Sequence, residues 1–331
     1  MSADSANTKA WQSRAGRETL FRRALMMKKI RAFFDARDVL EVETPLISRY
    51  ATTDPHLDSL ATRFREQDCY LNTSPEYAMK RLLAQWQQPI YQICKAFRDD
   101  ELGPNHNPEF TMLEWYRPGY DMMRLMAEVA DLVRYLFEQA EAEPVFEYLS
   151  YQQAFQNVTG IDPHHISAEQ CFKYCVADHV EVPQGLRPED DVNHWLDWLL
   201  TQQVLPAFNR SGFTFLYDYP AAQCALAKIE SGLDGTSVAK RFELFYGEVE
   251  LANGFYELTD ADEQLSRFCR ENEERQYIGK KASNIDENFI DALRSGLPDC
   301  SGVAMGLDRL IMVSTGAERI DQVLSFAWDR S

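Results

Sequence analysis

Three stretches of this chain put charged, aromatic and small residues at spacings that suit phosphate and cation chemistry. The first runs from Phe97-Arg98-Asp99-Asp100 through His106-Asn107-Pro108-Glu109-Phe110 to Glu114-Trp115-Tyr116. Arg98 offers a planar fork for a phosphate or a carboxylate. Phe110 can stack on a purine, and Glu114 and Tyr116, one strand period apart, point to one face. An arginine beside two aspartates also reads as a surface ion pair, and the residues alone leave both readings open. The second stretch is KRFELFYGEVELANGFYEL. If Tyr246-Gly247 form a two-residue turn, Phe245 pairs with Glu248, Leu244 with Val249 and Glu243 with Glu250. Two carboxylates directly opposed destabilise a sheet. A cation between them resolves this, and Mg2+ is the oxygen-seeking ion found beside phosphates; the alternative is that one carboxylate faces solvent or is protonated. Asn253, Phe255 and Glu257 share a face of opposite parity to Glu250, so a bulge near Asn253 or Gly254 is expected if all line one pocket. The third stretch is Ser301-Gly302-Val303-Ala304-Met305-Gly306-Leu307-Asp308-Arg309-Leu310. Small residues at 302, 304 and 306 let a ligand approach the backbone where a strand meets a helix. The helix N-terminus favours phosphate, and Arg309 adds charge one turn in. Tight strand–helix packing would use the same small residues.

These positions need elements to hold them. Residues 18–37 carry apolar side chains at helical spacing. VLEVETPLIS begins as a strand and is cut by Pro45. YLNTSPEYAMKRLLAQW reads as strand, turn and helix, with Ser74 as N-cap and Pro75 at the first helical position. QPIYQICKAFRDDE reads as a strand and 109–118 as its hairpin partner across a polar loop. Long amphipathic helices are predicted in YDMMRLMAEVADLVRYLFEQA and EDDVNHWLDWLLTQQVLPAF. Strands return in FTFLYDYP, KRFELFY and EVELANGFYEL, then a charged helix over 260–277, a loop, and a strand running into a helix at SGVAMGLDRLIMVSTG. The prediction is one α+β domain over 18–331, an antiparallel sheet flanked by helices, with a helical insertion at about 120–210.

Composition bounds the function. The 331 residues are 45% hydrophobic and carry 19 Phe, 15 Tyr and 6 Trp, ample for a large core. No run of about 18 apolar residues exists to span a membrane, and residues 1–17 read as a flexible tail without a signal core, so a cytoplasmic protein is expected. Seven scattered cysteines lack metal-site spacing and are expected to be reduced thiols. The net charge of −18 disfavours an extended nucleic-acid surface, which would need clustered Lys and Arg.

Taken together and in this order, the three stretches resemble the signature motifs of class II aminoacyl-tRNA synthetases. EVETPLIS resembles motif 1, with Pro45 at a homodimer interface; FRDDELGPNHNPEFTMLEWY resembles motif 2, and GVAMGLDRL motif 3. The wording HNPEFTMLEWY, with TSPE upstream and ELANGFYELTD downstream, is similar to lysyl-tRNA synthetases. The chain leaves no room for their N-terminal anticodon-binding barrel, and length and wording match the family of elongation factor P–(R)-β-lysine ligases. That resemblance implies ATP-dependent activation of (R)-β-lysine as its adenylate and transfer to a lysine side chain of elongation factor P, without tRNA. A stand-alone lysyl-tRNA synthetase-like enzyme is the alternative.

The resemblance also implies roles for individual residues. Arg98 would meet the ATP α-phosphate and the amino-acid carboxylate. Asp99, Asp100, His106, Asn107 and Phe110 would lie on the nucleotide side. Glu243, Leu244 and Glu250 would lie at ATP and its Mg2+, with Gly306 and Arg309 also holding ATP. Ser74, Pro75, Glu76, Glu114, Tyr116, Asn253, Phe255 and Glu257 would form the pocket for the amino acid, joined by Glu250 and Ala304. Two positions depart from the usual wording. Asp100 stands where motif 2 has glutamate, one methylene longer. Ala304 stands where the synthetases have glycine, and its methyl reshapes the pocket floor in favour of an amino group displaced by one carbon.

Overall fold

A computed structural model of the protein describes residues 9, 11–99, 101–138, 142–232 and 235–331. In chain order its elements are α1 (Arg17–Asp35), β1 (Leu40–Glu41), β2 (Ile47–Ser48), β3 (Ala61–Phe64), β4 (Gln67–Leu71), α2 (Glu76–Trp86), β5 (Ile90–Phe97), β6 (Glu109–Pro118) and α3 (Met122–Leu136). There follow β7 (Phe146–Ser150), α4 (Tyr151–Thr159), α5 (Ala168–Ala177), α6 (Val192–Leu199), β8 (Phe213–Pro220), β9 (Ile229–Ser231), β10 (Ser237–Tyr246) and β11 (Val249–Tyr256). The chain continues with α7 (Ala261–Tyr277), α8 (Glu287–Gly296), β12 (Cys300–Gly306) and α9 (Leu307–Thr315). The chain divides into two compact units, Met1–Glu143 with Leu258–Ser331, and Pro144–Glu257.

The first unit is built on β5, β6 and β12. β6 pairs antiparallel with β5 on one side and with β12 on the other, and β1 lies parallel to β5. Alternation along β6 sorts its side chains onto two faces. Leu113 and Trp115 are fully buried. Phe34 of α1 stacks on Tyr91 with ring centroids 4.3 Å apart and meets Trp115 edge-on at 5.4 Å, while the Trp115 indole Nε1 donates to Glu128 of α3 at 3.1 Å. Burying such rings contributes about 1.5–3 kcal/mol each, so this face is the core and α1 and α3 are its cover. The other face carries Phe110, Met112, Glu114 and Tyr116, and opposite them on β12 Gly306, Ala304 and Gly302. The same parity that makes the core therefore presents every polar β6 candidate together.

Several elements differ from the sequence expectation. Pro45 lacks an N–H to extend a ladder, and VLEVETPLIS forms only the short β1 and β2. α2 starts at Glu76, one residue later than predicted, with Ser74 Oγ accepting from the Glu76 backbone N–H at 3.0 Å. The stretch read as a loop before β12 contains α8, capped by Asp286, which accepts from the N–H groups of Asn288 and Phe289 and buries Phe289, Ile290 and Leu293. Of the predicted tail, residues 1–8 and 10 lie outside the described residues. The part just before α1 is tied down: Arg14 pairs with Asp321 at 2.9 Å and Asp329 at 2.6 Å, and Ala15 is buried.

The helical stretch expected over about 120–210 is two things. α3 packs in the first unit, and α4, α5 and α6 belong to the second, with β7 between them. In that second unit β7 runs parallel to β8, β8 antiparallel to β10, and β10 antiparallel to β9 and β11. Its core gathers Tyr151, Phe155, Cys171, Cys175, Trp195 and Leu199, all fully buried. All seven cysteines are free thiols.

Candidate active site

The first unit carries an acidic slot on the polar face of β6. Glu114 is 2% exposed. Tyr116 Oη donates to its Oε1 at 2.6 Å and Ser74 Oγ to its Oε2 at 2.7 Å. Glu76, on the first turn of α2, accepts from Lys80 Nζ at 2.6 Å, and Lys80 is 1% exposed. Burial, then the nearby Glu76 carboxylate, pushes the Glu114 carboxyl up to about 8, against the opposing pull of Tyr116, Ser74 and Lys80. Glu114 is therefore mostly protonated at neutral pH. The slot's predicted members Ser74, Glu76, Glu114, Tyr116 and Ala304 do come together, with Ala304 directly opposite Glu114 in the β6–β12 register. Pro75 is buried and serves as the helix N-cap. Lys80 was missed, although Glu76 and Lys80 four apart on a helix are a legible ion-pair signal.

Two arginines border the loop between β5 and β6. Arg98 lies over the Phe110 ring at 5.1 Å and pairs with Glu101 at 3.2 Å, and its Nε is buried without a hydrogen-bond partner. Arg309, in the first turn of α9, donates from Nη2 to His106 Nε2 at 2.7 Å and from Nε to the Asn105 carbonyl at 3.3 Å. Burial, then the Arg309 charge, holds His106 below its usual pKa, so a neutral imidazole accepts that bond. α9 is anchored behind its first turn by Asp308, which accepts from Arg23 at 2.5 Å and from the Thr111 backbone N–H at 2.6 Å. Asn107 is committed at both ends: its Nδ2 donates to the Glu109 carbonyl at 2.6 Å and its Oδ1 accepts from the Trp328 backbone N–H at 3.0 Å. These two bonds fix the loop on which it stands. Asp99 is exposed, and its backbone N–H donates to the Asp58 carbonyl at 2.9 Å. Asp100 lies outside the described residues.

The second unit holds the carboxylate strand pair, in a register different from the one expected. The turn is Gly247-Glu248, not Tyr246-Gly247, so Tyr246 pairs with Val249 and Phe245 with Glu250. Gly247 takes φ of +54°, and a Cβ there would meet the Arg210 carbonyl at 3.3 Å. Glycine at the first turn position is the II′ arrangement, which matches strand twist. The bulge falls between Leu244 and Phe245, where Leu251 is the extra residue, two or three positions earlier than expected. Its effect is the one anticipated: Glu243 faces Asn253, and Arg241, Glu243, Glu250, Asn253 and Phe255 share one face. The two glutamates are diagonal neighbours, not directly opposed. Leu244 points to the other face and is fully buried, so its side chain is not among those facing the glutamates. Glu257 is 1% exposed and bridges to Ala227.

Glu243 is held by two groups that the sequence reading missed. Arg241 is ion-paired to it, and Tyr219 Oη donates to its Oε2 at 2.7 Å. Burial lowers the Arg241 pKa, but the Glu243 carboxylate, with Tyr219 and Glu250, outweighs it and holds the guanidinium above its ordinary value. The signal was an arginine two positions before a glutamate on one strand face. Mg2+ characteristically takes one or two protein carboxylates and fills its shell with water and phosphate oxygens. Glu243 and Glu250 fit that donor set. Among the described residues no three His, Cys, Asp or Glu side chains converge into an ion cage.

Comparison with known proteins bears on what these clusters do. The family described as tRNA synthetases class II (D, K and N) matches residues 8–330. Elongation factor P–(R)-β-lysine ligases of Salmonella paratyphi B (strain ATCC BAA-1250 / SPB7), Salmonella schwarzengrund (strain CVM19633) and Salmonella arizonae are each 46% identical over 332 residues. Each alignment covers 98% of this chain and 100% of the relative. No helix among the described residues is long and apolar enough to cross a membrane.

Proposed function

Since the chain belongs to the class II tRNA synthetases of the D, K and N type, and within them to the elongation factor P–(R)-β-lysine ligases, we propose that it activates (R)-β-lysine with ATP and transfers it to a lysine side chain of elongation factor P. The observation that carries this reading is the buried Glu114, bonded by Ser74 and Tyr116 and facing Ala304 across the sheet. A carboxyl in that setting is suited to an ammonium of a diamino acid.

In the first step an oxygen of the amino-acid carboxylate bonds to the α-phosphorus of ATP, and the bond to the β-phosphate bridge breaks, releasing pyrophosphate. Arg98 is assigned to the α-phosphate and Arg309 to the γ-phosphate, where their fixed positive charges spread the charge that develops. Phe110 is assigned to stack on adenine, beside His106, and Gly306 to let the nucleotide approach. Mg2+, held by Glu243 and Glu250, would supply electrostatic stabilisation of the phosphate oxygens. Arg241 and Tyr219 keep Glu243 aimed. Ser74, Glu76, Glu114 and Tyr116 grip one end of the amino acid, and Asn253, Phe255 and Glu257 are assigned to the same substrate. In the second step the acceptor amine nitrogen bonds to the acyl carbon, the acyl–phosphate bond breaks, AMP leaves and the amine gives up a proton.

A homodimer through the Pro45 segment belongs to the same reading, supported by Leu40, Leu46 and Ile47, which are 45%, 36% and 53% exposed. So does a cytoplasmic enzyme that does not use tRNA, in keeping with the −18 charge.

The test is amino-acid-dependent ATP–pyrophosphate exchange with (R)-β-lysine, α-lysine and aspartate, followed by addition of elongation factor P or of tRNA. Exchange with (R)-β-lysine and label transfer to the protein are expected; exchange with aspartate alone, or label in tRNA alone, overturns the reading. Replacing Ala304 with glycine removes the methyl opposite Glu114. It is expected to raise kcat/KM for α-lysine relative to (R)-β-lysine by about tenfold or more, the worth of one methyl-sized group in a pocket. An unchanged preference would remove Ala304 from the specificity argument.

A further inference from the structure

We propose that Gln92 is a specificity-determining residue for the amino-acid side-chain ammonium, acting beside Glu114; this deepens the function proposed above and rests on it. Gln92 lies on β5 directly opposite Glu114 on β6, whose neighbour on the other side is Ala304 on β12. Gln92, Glu114 and Ala304 thus form one row across the sheet, on the face that carries the slot.

Gln92 is 2% exposed, and its Oε1 is buried without a hydrogen-bond partner. The side chain also hydrogen-bonds Cys94, two residues along the same face, which accounts for the amide but leaves the oxygen idle. Buried acceptors are ordinarily satisfied, because an unmade bond keeps the full desolvation cost of the group. A leucine or methionine would fill the same space without that cost. Glu114, by contrast, already accepts a bond at each oxygen, from Tyr116 and Ser74. An ammonium brings three N–H donors. The carboxylate supplies the countercharge, and Gln92 Oε1 supplies a neutral acceptor beside it. The division has a consequence for selectivity: an amino acid of the same length without the terminal amine leaves the Gln92 oxygen unpaired, and sites built on buried acceptors reject such analogues strongly.

The experiment compares wild type, Gln92→Leu and Gln92→Glu in pyrophosphate exchange, with (R)-β-lysine and with (R)-3-aminohexanoate, which lacks the terminal amine. Gln92→Leu is expected to raise KM for (R)-β-lysine about tenfold or more, with kcat and KM for ATP within about threefold of wild type. Its preference over the aminohexanoate narrows by the same factor, and its thermal midpoint is at or above that of wild type, since an orphaned acceptor has gone. Gln92→Glu restores an acceptor and is expected to keep KM within about threefold of wild type. An active Gln92→Leu enzyme with unchanged KM and unchanged discrimination overturns the assignment. So does a fall in kcat alike for both amino acids, which marks a structural role. If Gln92→Leu does not fold, Gln92→Met against Gln92→Glu makes the same comparison. Wild-type enzyme inactive with (R)-β-lysine overturns the proposed function itself, and the role of Gln92 with it.

Discussion

Arg98→Ala is expected to lower (R)-β-lysine-dependent pyrophosphate exchange by about a thousandfold, while the thermal midpoint stays within a few degrees of wild type. The two halves of this expectation come from different contacts. Arg98 is joined to the fold by a partly exposed pair with Glu101 and by its place over Phe110, and such pairs contribute little to stability. Its buried Nε has no protein partner, so part of its hydrogen-bonding capacity is reserved. A fixed guanidinium aimed at developing phosphate charge is, by comparison, worth two to five orders of magnitude in related chemistry (roughly 10²–10⁵). Arg98→Lys is expected to recover only a small part, because an ammonium cannot reproduce a planar two-pronged contact. Exchange within about tenfold of wild type in Arg98→Ala would show that the phosphate is held elsewhere.

Glu114→Gln is expected to do two opposite things: stabilise the empty protein and cripple its use of (R)-β-lysine. Burial and the neighbouring Glu76 carboxylate hold the Glu114 carboxyl at about 8, above its ordinary 4.5. A group raised in this way favours folding fully below about 4.5 and loses that contribution as pH rises through 8. Wild type is therefore penalised relative to Glu114→Gln across that window, by up to a few kcal/mol near pH 8 at about 1.4 kcal/mol per pH unit. Glu76 is the largest cause after burial, so the proton belongs in part to the pair. For binding the sign reverses. A cation needs the carboxylate, so KM for (R)-β-lysine should fall about tenfold per unit as pH rises from 6 towards 8, then level off. Glu114→Gln should lose both the slope and about two to three orders of magnitude in kcat/KM. Thermal midpoints and KM profiles between pH 6 and 9 check both halves; a wild-type KM independent of pH would exclude Glu114 as the titrating anchor.

How much of this was legible in the sequence depended on which interactions were local. The limits of β6, 109–118, follow from alternation that ends at Pro118, and its polar face followed from the two-residue period of Glu114 and Tyr116. The strand-to-helix passage at Gly306 and the placing of Arg309 one turn in were equally readable. The β10–β11 register was not, because it turns on which two residues make the hairpin, and one position changes every partner. Glycine suits either turn position; the close approach of the Arg210 carbonyl to Gly247 comes from residues far off in sequence. The bond that Asn107 accepts from Trp328 was unreadable for the same reason: the partner is remote. Gln92 and Arg241 carry no motif, and only burial together with strand pairing exposes them. The helix α8 was missed despite a good Asp286 cap, since its apolar run is short.

The bond between Asn107 and the Trp328 backbone spans 221 positions, and it bears on how the protein comes into being. Closing so wide a chain loop carries an entropic cost that local pairings escape. While the polypeptide is still emerging from a ribosome, the stretch bearing His106 lacks its bonds to Arg309 and Trp328. Competence to grip a nucleotide therefore waits on the arrival of Arg309 and Trp328, and a product halted before them stays inert however well its β-hairpins have already formed.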